Sequence, residues 1–292
     1  MHQADTPPVL VTGATSRIGR IVVDRLLDAG VPVRALTRRS GAAVRLPPGA
    51  EVRTGDLTVP GSLEPALKGA GAVFLVWTAP PRTVAEVVER LAAHGRRVVL
   101  LSSPHRTPHP FFQQPNPVAA LHADIERRIA ATGVESTIVR PGMLASNSLA
   151  WWAPAIRAGG TVRWPHAAAR TAPVDDRDVA AVVARALHQE GHAGADYVLT
   201  GPESLTQAAQ VEAIGDALGR RIAFEEMTPD EFRSLAQGTA PGPVVEMLLA
   251  AWHAAVGPPA YVTTTVADVL GREPRTFRRW AADHARAFTE GP

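Results

Sequence analysis

The segment Thr12-Gly13-Ala14-Thr15-Ser16-Arg17-Ile18-Gly19 joins a short apolar run, Val9 to Thr12, to Ile18, Ile21, Val22, Leu26 and Leu27 at helical spacing. Strand, tight turn and helix in that order present free backbone N–H groups at a helix N-terminus, where the peptide dipoles favour negative charge. Gly13 and Gly19 let the chain approach a ligand closely, so the segment can cradle a pyrophosphate through Thr15, Ser16, Arg17 and Ile18. Ser16 stands where a G-x-x-G-x-x-G spacing would put its middle glycine, and its small hydroxyl can donate to a phosphate. The same residues also suit a strand-to-helix junction that holds nothing.

Roughly 20 positions after such glycines, the tip of the second strand of a dinucleotide fold reads the adenosine ribose: an acid binds a 2′-hydroxyl, an arginine a 2′-phosphate. Here the strand ends Leu36-Thr37-Arg38-Arg39-Ser40, with two guanidiniums, two hydroxyls and no acid. Guanidiniums recognise phosphate bidentately, so the expected cofactor is NADP(H), with Arg17 as a third contact. The alternative is that Arg38 and Arg39 are solvated surface residues.

These residues need a scaffold, and the chain supplies alternating elements. Strand-like runs at Pro32 to Thr37, Glu51 to Arg53, Ala72 to Trp77, Val98 to Leu101 and Ser136 to Val139 are separated by helix-like segments such as Ser62 to Lys68 and Thr83 to Ala93. That alternation predicts a doubly wound, parallel-sheet α/β Rossmann fold. After Arg140-Pro141-Gly142 the rhythm changes, and Pro154 to Pro173 predicts loops and short strands. Asp178 to Leu187 reads as a helix, Tyr197 to Leu199 as a returning strand, and most of 203–292 as helices. We expect residues 1–150 to form the dinucleotide-binding domain, with 173–200 returning to it. Residues 151–172 and 201–292 would form a smaller, mainly helical substrate lobe.

Taken together, Thr12 to Gly19, Val33 to Arg39, Gly55-Asp56-Leu57, Ile138 to Met143, Tyr197 to Glu203 and Gly271 to Trp280 resemble the NmrA-like group of atypical short-chain dehydrogenases along nearly the whole chain. The resemblance implies that Asp56, with Leu57, contacts adenine, that Trp77, Thr78, Ala79 and Pro80 run along the cofactor with Ser102, and that Pro141 and Gly142 pass near the nicotinamide. It also implies reduction of quinones, imines, carbonyls or activated double bonds, or else dinucleotide sensing without catalysis.

One departure bears on mechanism. Ordinary short-chain dehydrogenases use Tyr-x-x-x-Lys, in which the lysine lowers the tyrosine pKa so that the phenol can donate a proton. The only lysine here is Lys68, and Gly201 and Thr265 follow Tyr197 and Tyr261 at that spacing. The positions matching the pair in the resemblance are Val118 and His122, and Ser103 matches the active-site serine. The expected donors are therefore Ser103 and His122, with His105 behind them. Such a site suits acceptors needing little proton assistance: an iminium, a quinone or a conjugated ketone. A biosynthetic ketoreductase with substrate-assisted protonation is a further possibility. Ser103 can equally end a strand, and His122 can equally sit on a helix surface.

Phe111, Phe112, Met143, Trp151, Trp152 and Trp164 offer flat apolar faces for an aromatic acceptor, or hold the helical lobe together. No H-E-x-x-H, P-loop or G-x-S-x-G is present, and no metal is expected. The 292 residues contain no cysteine, which excludes disulfides, thiolate catalysis and thiolate metal sites. Thirty Lys+Arg against 28 Asp+Glu leave a net charge of only +2, and the arginines are scattered, so neither nucleic acid nor membrane is an expected partner. A small-molecule substrate, a cytoplasmic location and a monomer or homodimer complete the expectation.

Overall fold

A computed structural model describes residues 6–38, 46–94 and 97–290; Arg39 and Ser40 lie outside the described residues. The chain begins with β1 (Val9–Val11), α1 (Arg17–Asp28), β2 (Val33–Thr37), β3 (Glu51–Thr54), α2 (Glu64–Leu67), β4 (Ala72–Val76), α3 (Val84–His94), β5 (Arg97–Leu101), α4 (Pro117–Thr132) and β6 (Glu135–Pro141). It continues through α5 (Asn147–Arg157), β7 (Val162–Trp164), β8 (Arg170–Thr171), α6 (Asp176–His188), β9 (Asp196–Leu199), β10 (Leu205–Thr206), α7 (Gln207–Ala217) and β11 (Phe224–Glu226). Four helices close it: α8 (Pro229–Ala236), α9 (Gly242–Ala254), α10 (Thr265–Leu270) and α11 (Phe277–Asp283).

Seven strands form one sheet in the order β3-β2-β1-β4-β5-β6-β9. The pairings of β1 with β2 and β4, β2 with β3, β4 with β5 and β5 with β6 are all parallel. Strands covered on both faces read as continuous apolar runs, which is why Val9 to Val11 and Ala72 to Val76 lack alternation. Strand order reverses between β1 and β4, the place where open α/β sheets bind ligands beyond the strands' carboxyl ends. There Thr12 ties the two strands together, its hydroxyl donating to the Phe74 carbonyl (3.0 Å) and accepting from the Val76 amide (2.8 Å).

Two compact units divide the chain. The first comprises Met1–Ser103, Ala120–Arg140 and Asp176–Tyr197; its apolar core includes Leu10, Leu36, Val73, Leu75, Val98, Leu100, Ile125 and Ile129. The second comprises Pro104–Ala119, Pro141–Asp175 and Val198–Pro292. Its core gathers Trp152, Trp164, Trp252, Phe232, Phe277 and Trp280. The division departs from the expected boundaries, because 104–119 and 141–150 fall in the second unit. Phe111, in the 3-10 turn Pro110–Phe112, packs on the second core, as does Leu149.

The expected irregular stretch after Gly142 is also corrected. Trp151 and Trp152 lie in α5, which runs through Pro154. A proline inside a helix forfeits a backbone hydrogen bond and costs about 3 kcal/mol, but burial of Trp152, Ala153 and Ile156 to 0% exposure offsets that cost. Among the described residues no helix is long and apolar enough to cross a membrane.

Candidate functional site

The site's first component is the turn after β1. Gly13 has φ +60°, a left-handed conformation that an L side chain would strain. Gly19 is packed so tightly that a Cβ placed there would stand 2.2 Å from the Gly13 carbonyl oxygen. Ser16 is the N-cap of α1: its Oγ accepts from the Gly19 amide at 3.1 Å, and Thr15, Ser16 and Arg17 are exposed. Ile18 turns its side chain into the core. The amides of Arg17 and Ile18 begin the helix and have no acceptor among the described residues, as an incoming diphosphate requires. An NAD(P)H pyrophosphate fits this cradle, because the tight turn through Gly13 and Gly19 leaves the Arg17 and Ile18 amides without an acceptor among the described residues.

Arg38 lies just beyond β2 and is exposed, whereas Thr37 is buried. In the next loop, the Asp56 carboxylate accepts from the Thr58 amide (2.8 Å) and the Asp56 amide donates to Ser62 Oγ (2.9 Å), so the acid is held in place by its own loop. Leu57 is buried in the first core. Beyond β4, Trp77 donates from Nε1 to the Ala79 carbonyl at 2.6 Å, bracing the segment through exposed Thr78 to half-buried Pro80.

The second component lies at the end of β5. Ser103 Oγ and His122 Nδ1 are 2.9 Å apart. The neighbouring Ser102 differs: its hydroxyl is buried and committed to Glu126, so its side chain is structural. Arg140, 1% exposed, closes the network. Its guanidinium donates to both Glu126 carboxylate oxygens (2.6 and 2.8 Å), to Asp196 (2.5 and 3.0 Å) and to the Ser103 carbonyl (2.9 Å). Burial works against the Arg140 charge, but Glu126 and Asp196 outweigh it and hold its pKa above the ordinary arginine value. His122 and Glu126 lie four residues apart on α4 and so share a face. By clamping Glu126, Arg140 fixes the helix rotation that presents His122 to Ser103.

In the second unit, a small pocket is lined by His109, Phe111, Phe112, Gly142, Met143 and Arg170, with Thr171, Ala172, Thr200, Ala260 and Tyr261. Phe111 and Phe112 meet edge to face with centroids 5.0 Å apart. The pocket thus contains Phe111, Phe112 and Met143 from the expected aromatic set, but none of the tryptophans. Trp151, Trp152 and Trp164 instead pack with Trp252 in the core, where indole contacts exclude water from Trp152 (0% exposed) and Trp164 (7%). Pro141 ends β6, and the Gly142 amide donates to the Leu199 carbonyl at 2.8 Å. His105 lies in the loop that follows Ser103, and among the described residues no cluster of three or more potential metal ligands exists.

Sequence reasoning assigned no site role to Arg170, Tyr261, His109 or the Glu126–Arg140 pair. A signal for the last was present: a charge inside the apolar run Ile138-Val139-Arg140 needs a buried partner. Arg170, set among alanines, gives none.

The family of NAD(P)H-binding proteins matches residues 13–190. The chain is 39% identical over 282 residues to the (4-alkanoyl-5-oxo-2,5-dihydrofuran-3-yl)methyl phosphate reductase of Streptomyces griseus, covering 96% of this chain and 99% of that one. It is 31% identical over 290 residues to the NAD(P)H azoreductase of Xenophilus azovorans, again covering 96% and 99%. Among solved structures it resembles the NADPH-dependent quinone oxidoreductase of Escherichia coli in complex with NADPH, with TM-score 0.79, 22% identity, and coverage of 94% and 99%. The chain belongs to the NAD(P)H-binding family. It is an NAD(P)H-dependent oxidoreductase.

Proposed function

We propose that the protein is an NADPH-dependent reductase of a polarised double bond in a small or medium organic acceptor: a quinone, an imine or iminium, or a conjugated ketone or lactone. The observation that carries this reading is the 2.9 Å approach of Ser103 Oγ to His122 Nδ1 in a chain without Tyr-x-x-x-Lys. The names of the relatives point the same way, since an unsaturated lactone and an azo compound are both electron-poor hydride acceptors.

Gly13, Thr15 to Gly19 and Arg38 hold the dinucleotide, with Asp56 and Trp77 to Pro80 along it; the reduced nicotinamide, when bound, supplies hydride. Ser103 and His122 handle the proton. With Nδ1 protonated, His122 donates to Ser103 Oγ, and the serine proton is then directed away from the ring toward the acceptor. A neutral serine backed by histidine is a weaker acid than a phenol beside lysine, which favours acceptors that stabilise their own developing negative charge. Arg140 keeps the pair aligned through Glu126 and the Ser103 carbonyl, so no reorganisation is needed during the reaction.

The test is NADPH consumption, followed at its absorbance band, with naphthoquinones, cyclic imines, azo dyes and unsaturated lactones. Turnover with one or more of these classes is expected. Tight NADPH binding without turnover of any class would overturn the reading.

A further inference from the structure

One side chain of the first unit, Arg140 at the end of β6, ties together α4, β9 and the segment that leaves β5. Every N–H of its guanidinium finds an oxygen. The end-on fork, Nη1 and Nη2, grips Glu126 on α4 at 2.6 and 2.8 Å, and the side-on fork, Nε and Nη2, grips Asp196 at the start of β9 at 2.5 and 3.0 Å. Nη1 also donates to the Ser103 carbonyl at 2.9 Å.

Charge balance does not call for the second carboxylate. The Arg140 and Glu126 side chains, 1% and 5% exposed, neutralise each other inside the protein, whereas the Asp196 side chain is 45% exposed. A carboxylate so open to water contributes little as a charge partner. What it adds is geometry. Held by one fork, the guanidinium can rock about Glu126; a second fork on another edge of the same plane stops that motion and fixes where the last N–H points. That N–H ends on the carbonyl of Ser103, whose hydroxyl stands 2.9 Å from His122 Nδ1.

We propose that Asp196 is a positioning residue for the proton-handling pair: acting through Arg140, it sets the placement of Ser103 against His122. The consequence for turnover rests on the reductase reading, and the consequence at the His122 ring rests on geometry alone. The effect falls on rate and not on cofactor affinity. β9 is an edge of the sheet, and β4, β5 and β6 separate it from β1, whose turn carries Gly13 and Gly19.

Asp196→Asn keeps the shape of the side chain but turns one acceptor oxygen into a donor, and Asp196→Glu keeps the charge on a longer arm. Each is compared with the parent by thermal melting, NADPH titration, steady-state kinetics with a conjugated ketone, and the nitrogen resonances of the His122 ring in isotope-labelled protein saturated with NADP⁺. Asp196→Asn is expected to lower kcat about ten-fold while KM for the acceptor and the NADPH dissociation constant stay within about two-fold of the parent. The His122 resonances should shift while that of His94, on α3, stays in place, and Asp196→Glu should recover part of kcat. Asp196→Ser, small enough to admit water beside the guanidinium, carries the same readings should the amide variant not fold. A lower Tm with kcat and the His122 resonances unchanged would make Asp196 a structural partner of Arg140 and overturn the proposal; so would a loss of kcat with His122 unmoved. If the parent turns over no acceptor, the reductase reading falls, and the His122 resonances alone decide whether Asp196 positions the pair.

Discussion

A Cβ on residue 19 would stand 2.2 Å from the Gly13 carbonyl oxygen, so the backbone at residue 13 requires a glycine at 19. Gly19→Ala must push the turn away from α1, displacing the Arg17 and Ile18 amides that we propose receive the diphosphate. The expected result is loss of measurable NADPH binding by fluorescence titration, with a stability loss of about 1–3 kcal/mol from overpacking. A variant that binds NADPH as the parent does would show that the cradle is not at this turn.

Arg38 follows β2 and is exposed, so its replacement should leave the fold intact. Arg38→Ala is expected to weaken NADPH binding by about 1.5–3 kcal/mol, ten-fold or more, while the dissociation constant for NADH stays put. Parallel titrations of both cofactors check this. Equal affinities for NADPH and NADH in the parent protein would remove the assigned role from the guanidinium.

Ser103→Ala and His122→Ala remove the two ends of the 2.9 Å contact. With a conjugated ketone as acceptor, each should lower kcat by about 10²-fold or more, and the double variant should lose little beyond either single one. A more electron-poor quinone should suffer less, since its reduced form needs less protonation as it develops. Single-turnover kinetics in the three variants measure this, and full activity in all of them would assign the proton to solvent.

Arg140→Met takes the compensating guanidinium from the buried Glu126 carboxylate, leaving it the Ser102 hydroxyl. Breaking such a pair costs about 3–5 kcal/mol, so a large fall in Tm and denaturant midpoint is expected. Adding Glu126→Met to the same chain should recover much of that loss but not the activity, because the clamp that orients His122 is gone. Denaturant titration combined with turnover checks both halves.

His166 is held below the ordinary histidine value of 6.5 by burial and by nearby His253, against an opposing pull from Glu226. The folded protein then binds fewer protons than the unfolded chain, so stability is complete above pH 6.5 and falls as pH drops toward the folded pKa. His192, also lowered by burial and by Arg97, adds to the same trend. His166 has φ +57°, a conformation asparagine tolerates, so His166→Asn should keep the fold and flatten part of the slope. Melting temperatures across pH 5 to 8 are the measurement, and an unchanged slope counts against it.

Sequence patterns carried the first unit further than the second. Continuous apolar runs such as Val98 to Leu101 are what a covered parallel strand requires, and Ile18, Val22 and Leu26 mark the buried stripe of α1. Pro154 hid α5, because propensity disfavours a proline that the burial of Trp152 and Ile156 outweighs. Gly13 and Gly19 stand out because a tight strand-to-helix turn constrains residue type and spacing together. Tyr261 and Arg170 are 91 positions apart, and only the folding of the second unit brings them to one pocket. The tryptophans at 152 and 164 illustrate the converse: chemistry makes an indole fit for an aromatic ligand, and only packing decides whether it is reachable.

Five of the six tryptophans belong to the second unit, and Trp77 alone belongs to the first. Near-ultraviolet excitation therefore reports almost entirely on one half of the molecule. Replacing Trp77 with phenylalanine would make the emission a pure readout of that half, against which circular dichroism of the whole chain can be compared. Whether the two halves melt together or in sequence then becomes visible without attaching any dye.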